Sequence, residues 1–135
     1  YNQLLYLHSI NKSFLQIDID NFFILKHFDK FFFFYFDFDN LFSISDNYIL
    51  IPTPFKKYTF YDPILSSITY VPNQVHISCY YIAMCKLILD LFNISFTSYT
   101  SLLRNISFLS EHPLFDFFKF ACKDDVDDRI LYLIN

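Results

Sequence analysis

Cysteine, histidine, carboxylate and lysine side chains carry most protein chemistry, and their spacing here narrows what the chain can do. Cys79 and Cys85 lie near His76, residue types that can serve as nucleophile and base. On a strand, however, Cys79 stands three positions from His76 and faces the other way. Reduced, buried core thiols are therefore the expectation for Cys79, Cys85 and Cys122. Three cysteines without CxxC spacing provide neither a disulfide framework nor a zinc site. His8, His27, His76 and His112 are dispersed, with no HExxH or paired-His spacing, so no metal is expected. Asp124, Asp125, Asp127 and Asp128 lack the alternating ligands and glycine of a calcium loop and read as a solvated face or a patch for basic neighbours. The chain contains no glycine at all, which excludes the phosphate-cradling loops of nucleotide-dependent enzymes. What remains is Lys56 and Lys57 followed by Tyr58, the one basic-aromatic cluster, suited to phosphate contact and base or sugar stacking. The chemistry expected is binding: no enzyme, no cofactor and no small-molecule substrate.

The elements that must position these residues come from 135 residues, enough for one domain. With 54% apolar and 18% charged residues, the chain is too hydrophobic and too weakly charged to be intrinsically disordered. Its 20 Phe and 11 Tyr stand against no Gly, no Trp and two Ala, Ala83 and Ala121. Phe, Tyr, Ile, Asn and Lys are read from codons built of A and T, so the profile reflects an AT-rich genome, with mitochondrial translation as the leading inference. A net charge of −4 supplies no global field for a polyanion, so any RNA binding must be local. Residues 75–92 are the longest apolar stretch but carry His76, Lys86 and Asp90, which argues against a membrane span. No signal peptide or basic presequence opens the chain, and an organelle-encoded protein needs neither.

Along the chain, residues 3–10 read as a strand and residues 14–28 as a helix, because Leu15, Ile19, Phe22 and Phe23 fit one helical face. The run FFFFYFDF at 31–38 is a β-prone strand that needs a cover. A polar turn follows, then a short strand at 48–51. Pro52 and Pro54 end regular pairing and open an extended arm over 51–74. A strand begins with VHISCYY at 75–81. The segment after Asn93 reads as a helix capped by Ser95 or Thr97, with Tyr99, Leu102, Leu103 and Ile106 at helical spacing. Residues 114–121 read as a last strand, and 122–135 as an acidic, helical tail. This order predicts an α+β domain over 1–121, a ferredoxin-like split βαβ sheet with two helices on one face, a long arm and a C-terminal extension.

Four segments in this order resemble small-subunit ribosomal protein S-ten in its bacterial and mitochondrial form. LYLHSINKSFLQ resembles the family's opening strand and turn, with Asn11 and Lys12 where the family usually has Asp and His. ILIPTPFKKYTF, residues 49–60, resembles its Leu-Pro-Thr segment with basic residues following. NQVHISCYY, residues 73–81, falls where the family's strand returns from its arm, and SYTSLLRNISFLSE resembles its second helix, with Arg104 and Asn105 as the Arg-Asn pair. Residues 29–48 are then an insertion. The resemblance implies a structural constituent of the small subunit of a mitochondrial ribosome, in the subunit head, located in the matrix. It implies ribosomal RNA and neighbouring ribosomal proteins as partners, and no membrane span. RNA contact falls to Lys12, Lys56, Lys57, Tyr58 and His76. Between Lys57 and Lys86 the only basic side chain is His76, which shifts the arm toward protein contact through Phe60, Tyr61, Tyr70 and Tyr80. The alternative is an accessory subunit of a mitochondrial inner-membrane respiratory complex, with 75–92 against or in the bilayer.

Overall fold

The computed structural model describes residues 2–55, 62–94 and 98–130. Helix α1, Asn2–Ser9, opens the chain. Strands β1 (Lys12–Phe14), β4 (Leu41–Ser45), β5 (Tyr48–Ile51) and β6 (Asn73–His76) form an antiparallel sheet in the order β1-β4-β5-β6. Among the described residues, strands β2 (Phe22–His27) and β3 (Lys30–Tyr35) pair only with each other, as a separate two-stranded ribbon. The remaining helices are α2 (Pro63–Ser67), α3 (Cys79–Leu91), α4 (Tyr99–Phe108) and α5 (Phe115–Ala121).

The class is mixed α+β, and the strands expected near 31–38 and at 48–51 and the helix around 99–106 are present as β3, β5 and α4. The split βαβ order is not reproduced among the described residues. It needs helices that cross between paired strands, whereas here β4 turns directly into β5, and α3, α4 and α5 all follow the last strand.

Several local expectations are corrected, each for a physical reason. Residues 3–9 are helical because Leu4 and Leu7, three apart, are the buried positions and share one face, and Ile10 begins the turn. Residues 14–28 hold the end of β1, a 3-10 turn at Ile19–Asn21 and β2, since the segment pairs residue for residue with the Phe run from Phe22↔Tyr35 to His27↔Lys30. The expected turn at 39–47 holds the end of a 3-10 turn (Phe38–Asn40) and then β4, with Phe42 buried between exposed or half-buried neighbours. The strand expected at 75–81 ends at His76, and Cys79 already begins α3. The strand expected at 114–121 is α5, whose buried Phe117, Phe118 and Ala121 form one helical stripe. The described part of the tail, through Ile130, is turns rather than helix. Within the arm, Asp62 caps α2 by accepting from the Ile64 N–H at 2.9 Å, and Leu65 and Ile68 pack beneath the sheet, so 62–68 is folded onto the body.

Three packed clusters make the core. One joins α3, α4 and α5 through Ile82, Cys85, Leu89, Leu102 and Phe118. A second joins α1 to α3 and the base of the ribbon through Leu4, Leu7, Phe14, Tyr35, Tyr80 and Leu87. The third lies under the four-stranded sheet, with Leu15, Ile49, Ile51, Leu65 and Val75. Helix α3 contributes to all three, which explains why residues 75–92 are apolar nearly all round: this stretch is buried by protein on several sides. No helix among the described residues is long and apolar enough to cross a membrane.

Lacking glycine, the chain makes its left-handed turns with Asn11, Asp46, Asn47 and Asn93, types that tolerate positive φ. Phe28, at φ +53°, is the exception and sits at the tip of the β2–β3 turn. Asp62 and Arg129 form an ion pair, both side chains almost wholly buried. That pair ties the C-terminal segment to the start of α2, and the Arg129 Nε also donates to the Lys123 carbonyl at 2.7 Å within the segment.

Candidate functional site

Of the five residues expected to touch RNA, Lys56, Lys57 and Tyr58 lie outside the described residues, as do Phe60 and Tyr61 among the expected protein contacts. Lys12 and His76 are described. Ladder register puts both on the outer face of the four-stranded sheet: Lys12 is opposite Ser43, which is opposite Leu50, then Gln74, and His76 follows Gln74 by two positions. They sit on opposite edge strands, separated by three strand spacings, about 14 Å, across the sheet and by two residues along it. Lys12 donates through Nζ to Ser43 Oγ at 2.9 Å. The His76 ring contacts Tyr48 edge-on at 5.6 Å, its Nδ1 is 2.8 Å from Ser78 Oγ, and its Nε2 lies 3.8 Å from a carboxylate oxygen of Asp127. An acid beside the imidazole opposes phosphate at that point, so His76 and Lys12 do not combine into a basic patch.

The two described protein-contact candidates separate. Tyr70 is 70% exposed and borders a shallow cleft of about 570 Å³ with Leu50, Pro52, Pro72 and Gln74. Tyr80 is only 3% exposed, in α3, with its ring against His8 at 5.5 Å and Tyr81 at 4.7 Å. Tyr80 is a core residue, because a helix turns this position toward α1 where a strand would have pointed it elsewhere.

The thiols are buried and unpaired to one another, as expected. Burial, reinforced by the Asp62 carboxylate, drives the Cys79 thiol far above the ordinary range, and burial with Cys122 beside it does the same to Cys85. Burial thus favours the neutral thiol at both positions. Tyr99 is pushed up to about 12, chiefly by burial, and its hydroxyl donates to the Cys122 carbonyl at 2.9 Å. Among the described residues no group of three His, Cys, Asp or Glu side chains is placed to hold a metal ion. The acidic residues Asp124, Asp125, Asp127 and Asp128 are solvent-facing, with Lys123 Nζ 3.7 Å from Asp128.

Among the described residues, a long run of exposed apolar side chains lies where the Phe run was expected to be covered. The β2–β3 ribbon exposes Phe23, Ile24 and Leu25 on one strand and Phe31, Phe32, Phe33 and Phe34 on the other, with Phe28 at the tip 86% exposed. Only its base is anchored, by Tyr35, whose ring packs edge-on against Phe14 at 4.6 Å and against Phe22 at 5.1 Å. The Gln3 side chain clasps the same residue, accepting from the Tyr35 N–H at 2.9 Å and donating to its carbonyl at 2.6 Å. Between α1 and the ribbon lies a cavity of about 700 Å³, floored by Phe14, Ile17, Met84 and Leu87. The signal in the sequence was the Phe run itself; nothing local revealed that the domain would leave it bare.

Comparison with protein-family models, curated proteins and solved structures finds no match to this chain.

Proposed function

We propose that this protein is a non-catalytic structural subunit of a larger assembly, the small subunit of a mitochondrial ribosome, where it joins and fills surfaces among ribosomal RNA and protein neighbours. The observation that carries the structural role is the bare aromatic ribbon. Soluble chains seldom leave a contiguous apolar surface of this extent without a partner to cover it.

The choice of assembly rests on the ordered segments that resemble ribosomal protein S-ten. One geometric feature supports it: β5, which leads into the arm, and β6, which returns from it, pair directly from Tyr48↔His76 to Ile51↔Asn73. The arm therefore leaves and re-enters at one place, as an inserted arm must. Lys56, Lys57 and Tyr58 lie in its first third in sequence and carry the RNA contact in this reading, while the ribbon and Tyr70 contact protein. A ferredoxin-like body and a place in the subunit head belong to the same proposal and rest on that resemblance rather than on the strand order of the sheet.

Sedimentation tests it. The protein should travel with ribosomal RNA through a magnesium-containing gradient and come free when magnesium is removed. Extraction that requires detergent and ignores magnesium would overturn the ribosomal reading and favour a respiratory-membrane subunit. Within the particle, replacing Lys56 and Lys57 by Gln should weaken association and flatten its salt dependence, because two counterion-releasing contacts are lost. The same change at Lys119 and Lys123 should have little effect.

A further inference from the structure

We propose that residues 123–130 are a strap that seats the returning half of the arm on the body, and that strap and arm root open together, so that a partner gripping one fixes the position of the other. This coupling is independent of which assembly the chain serves.

Polar contacts hold the strap at both ends of the stretch that returns from the arm. At one end Arg129 pairs with Asp62, the residue that opens α2. At the other, the hydroxyl of Ser78, a fully buried residue before α3, donates to the Val126 carbonyl at 3.1 Å. Beside it the Nε2 of His76, the last residue of β6, lies 3.8 Å from Asp127. Apolar packing adds little. Among the described residues no side chain of 123–130 belongs to the three core clusters, and Asp124, Asp125, Asp127, Asp128 and Ile130 are exposed. Only Arg129 goes inside. A segment with so few buried apolar contacts belongs to the low-stability end of a structure, so its ion pair decides whether it stays down.

Asp62 serves both segments at once. One carboxylate oxygen accepts from the Ile64 N–H at 2.9 Å and the other takes the Arg129 guanidinium. Its carbonyl accepts from the N–H groups of Leu65 and Ser66 at 2.9 and 3.2 Å. Both side chains of the pair are at most 3% exposed. If the strap lifts, Arg129 leaves with it and Asp62 becomes a buried charge without its partner, a state too costly to persist. Its carboxylate then reaches water by opening the first turn of α2, which draws Leu65 from its place under the sheet. The reverse holds for Arg129 if α2 lifts first. Each segment therefore stabilises the other by the same factor, although 67 positions separate the paired residues.

Hydrogen exchange of the purified full chain, followed amide by amide, tests the coupling. In the wild-type protein the bonded amides of Ile64, Leu65 and Ser66 and those of Asp128, Arg129 and Ile130 should open with one free energy and one urea dependence, below that of the middle of α3. This measurement needs no variant to fold. Asp62→Asn keeps a good helix cap and removes only the charge, while Arg129→Met removes the other half of the pair. Each should speed exchange in both segments by about a hundredfold or more, with α3 and β4 still protected. Separate opening energies in the wild-type chain, release of the strap alone by Arg129→Met, or an even speeding of every amide would each overturn the proposal.

Discussion

Hairpins β2–β3 and β4–β5 are made of similar apolar, β-prone residues, yet one is bare and the other is the centre of a sheet. In β4–β5, Asp46 and Asn47 both take positive φ, the geometry of a tight turn whose twist matches its strands. Along β5 exposure alternates, with Ile49 and Ile51 inside and Tyr48 and Leu50 outside. One face is apolar and one is mixed, so register is specified, and β1 and β6 flank the pair. In β2–β3 nearly every position is apolar, so neither face is marked as inner. Only Tyr35 at the base finds a buried place. Hydrophobic content alone does not bury a strand; alternation does, by giving it a side to present.

The contrast can be broken or sharpened by substitution, most severely in the body. Asp62→Ala leaves Arg129 buried without its partner and should cost about 3 to 5 kcal/mol in urea unfolding. Phe118→Ala empties a fully buried site in the α3, α4 and α5 cluster and should cost about as much, 3 to 5 kcal/mol by the same measurement. A smaller effect is expected at Ser98, whose hydroxyl accepts from the Ser101 N–H at 3.2 Å and caps α4. Ser98→Ala should cost about 1 kcal/mol, and Ser98→Asp should restore most of it.

His8 gives a pH signature to the α1 contact. Burial lowers its folded pKa below the ordinary 6.5. As pH falls through about 6.5 the unfolded chain therefore takes up the proton first, and stability declines from there downward while remaining independent of His8 above it. His8→Phe, which keeps an aromatic edge against Tyr80, should flatten that acid-side slope; an unchanged slope would place its origin elsewhere. The smallest change is expected on the ribbon: Phe33→Ala should alter monomer stability by no more than about 0.5 kcal/mol, against the large loss at Phe118. Comparable losses at the two positions would mean that the ribbon is packed as the core is.

By itself the sequence determined what is local or compositional. Strand β5 was legible from its short apolar run ended by Pro52, β3 from its Phe run, and α4 from apolar residues at helical spacing. Burial of the thiols followed from their number and spacing. A glycine-free chain excluded phosphate loops outright. The tertiary structure decided whatever depended on a distant partner. Segments 3–10 and 114–121 are too short for periodicity to separate strand from helix; α1 and α5 are helices because Leu4 with Leu7, and Phe117 with Phe118 and Ala121, meet cores built by other elements. Tyr80 moved from surface to core for the same reason. Asp62 and Arg129 stand 67 positions apart, and Gln3 and Tyr35 stand 32 apart, so no window along the chain contains either pair. Each is held because folding removes water from around polar groups whose partners are then supplied by the fold, from segments far apart in the chain.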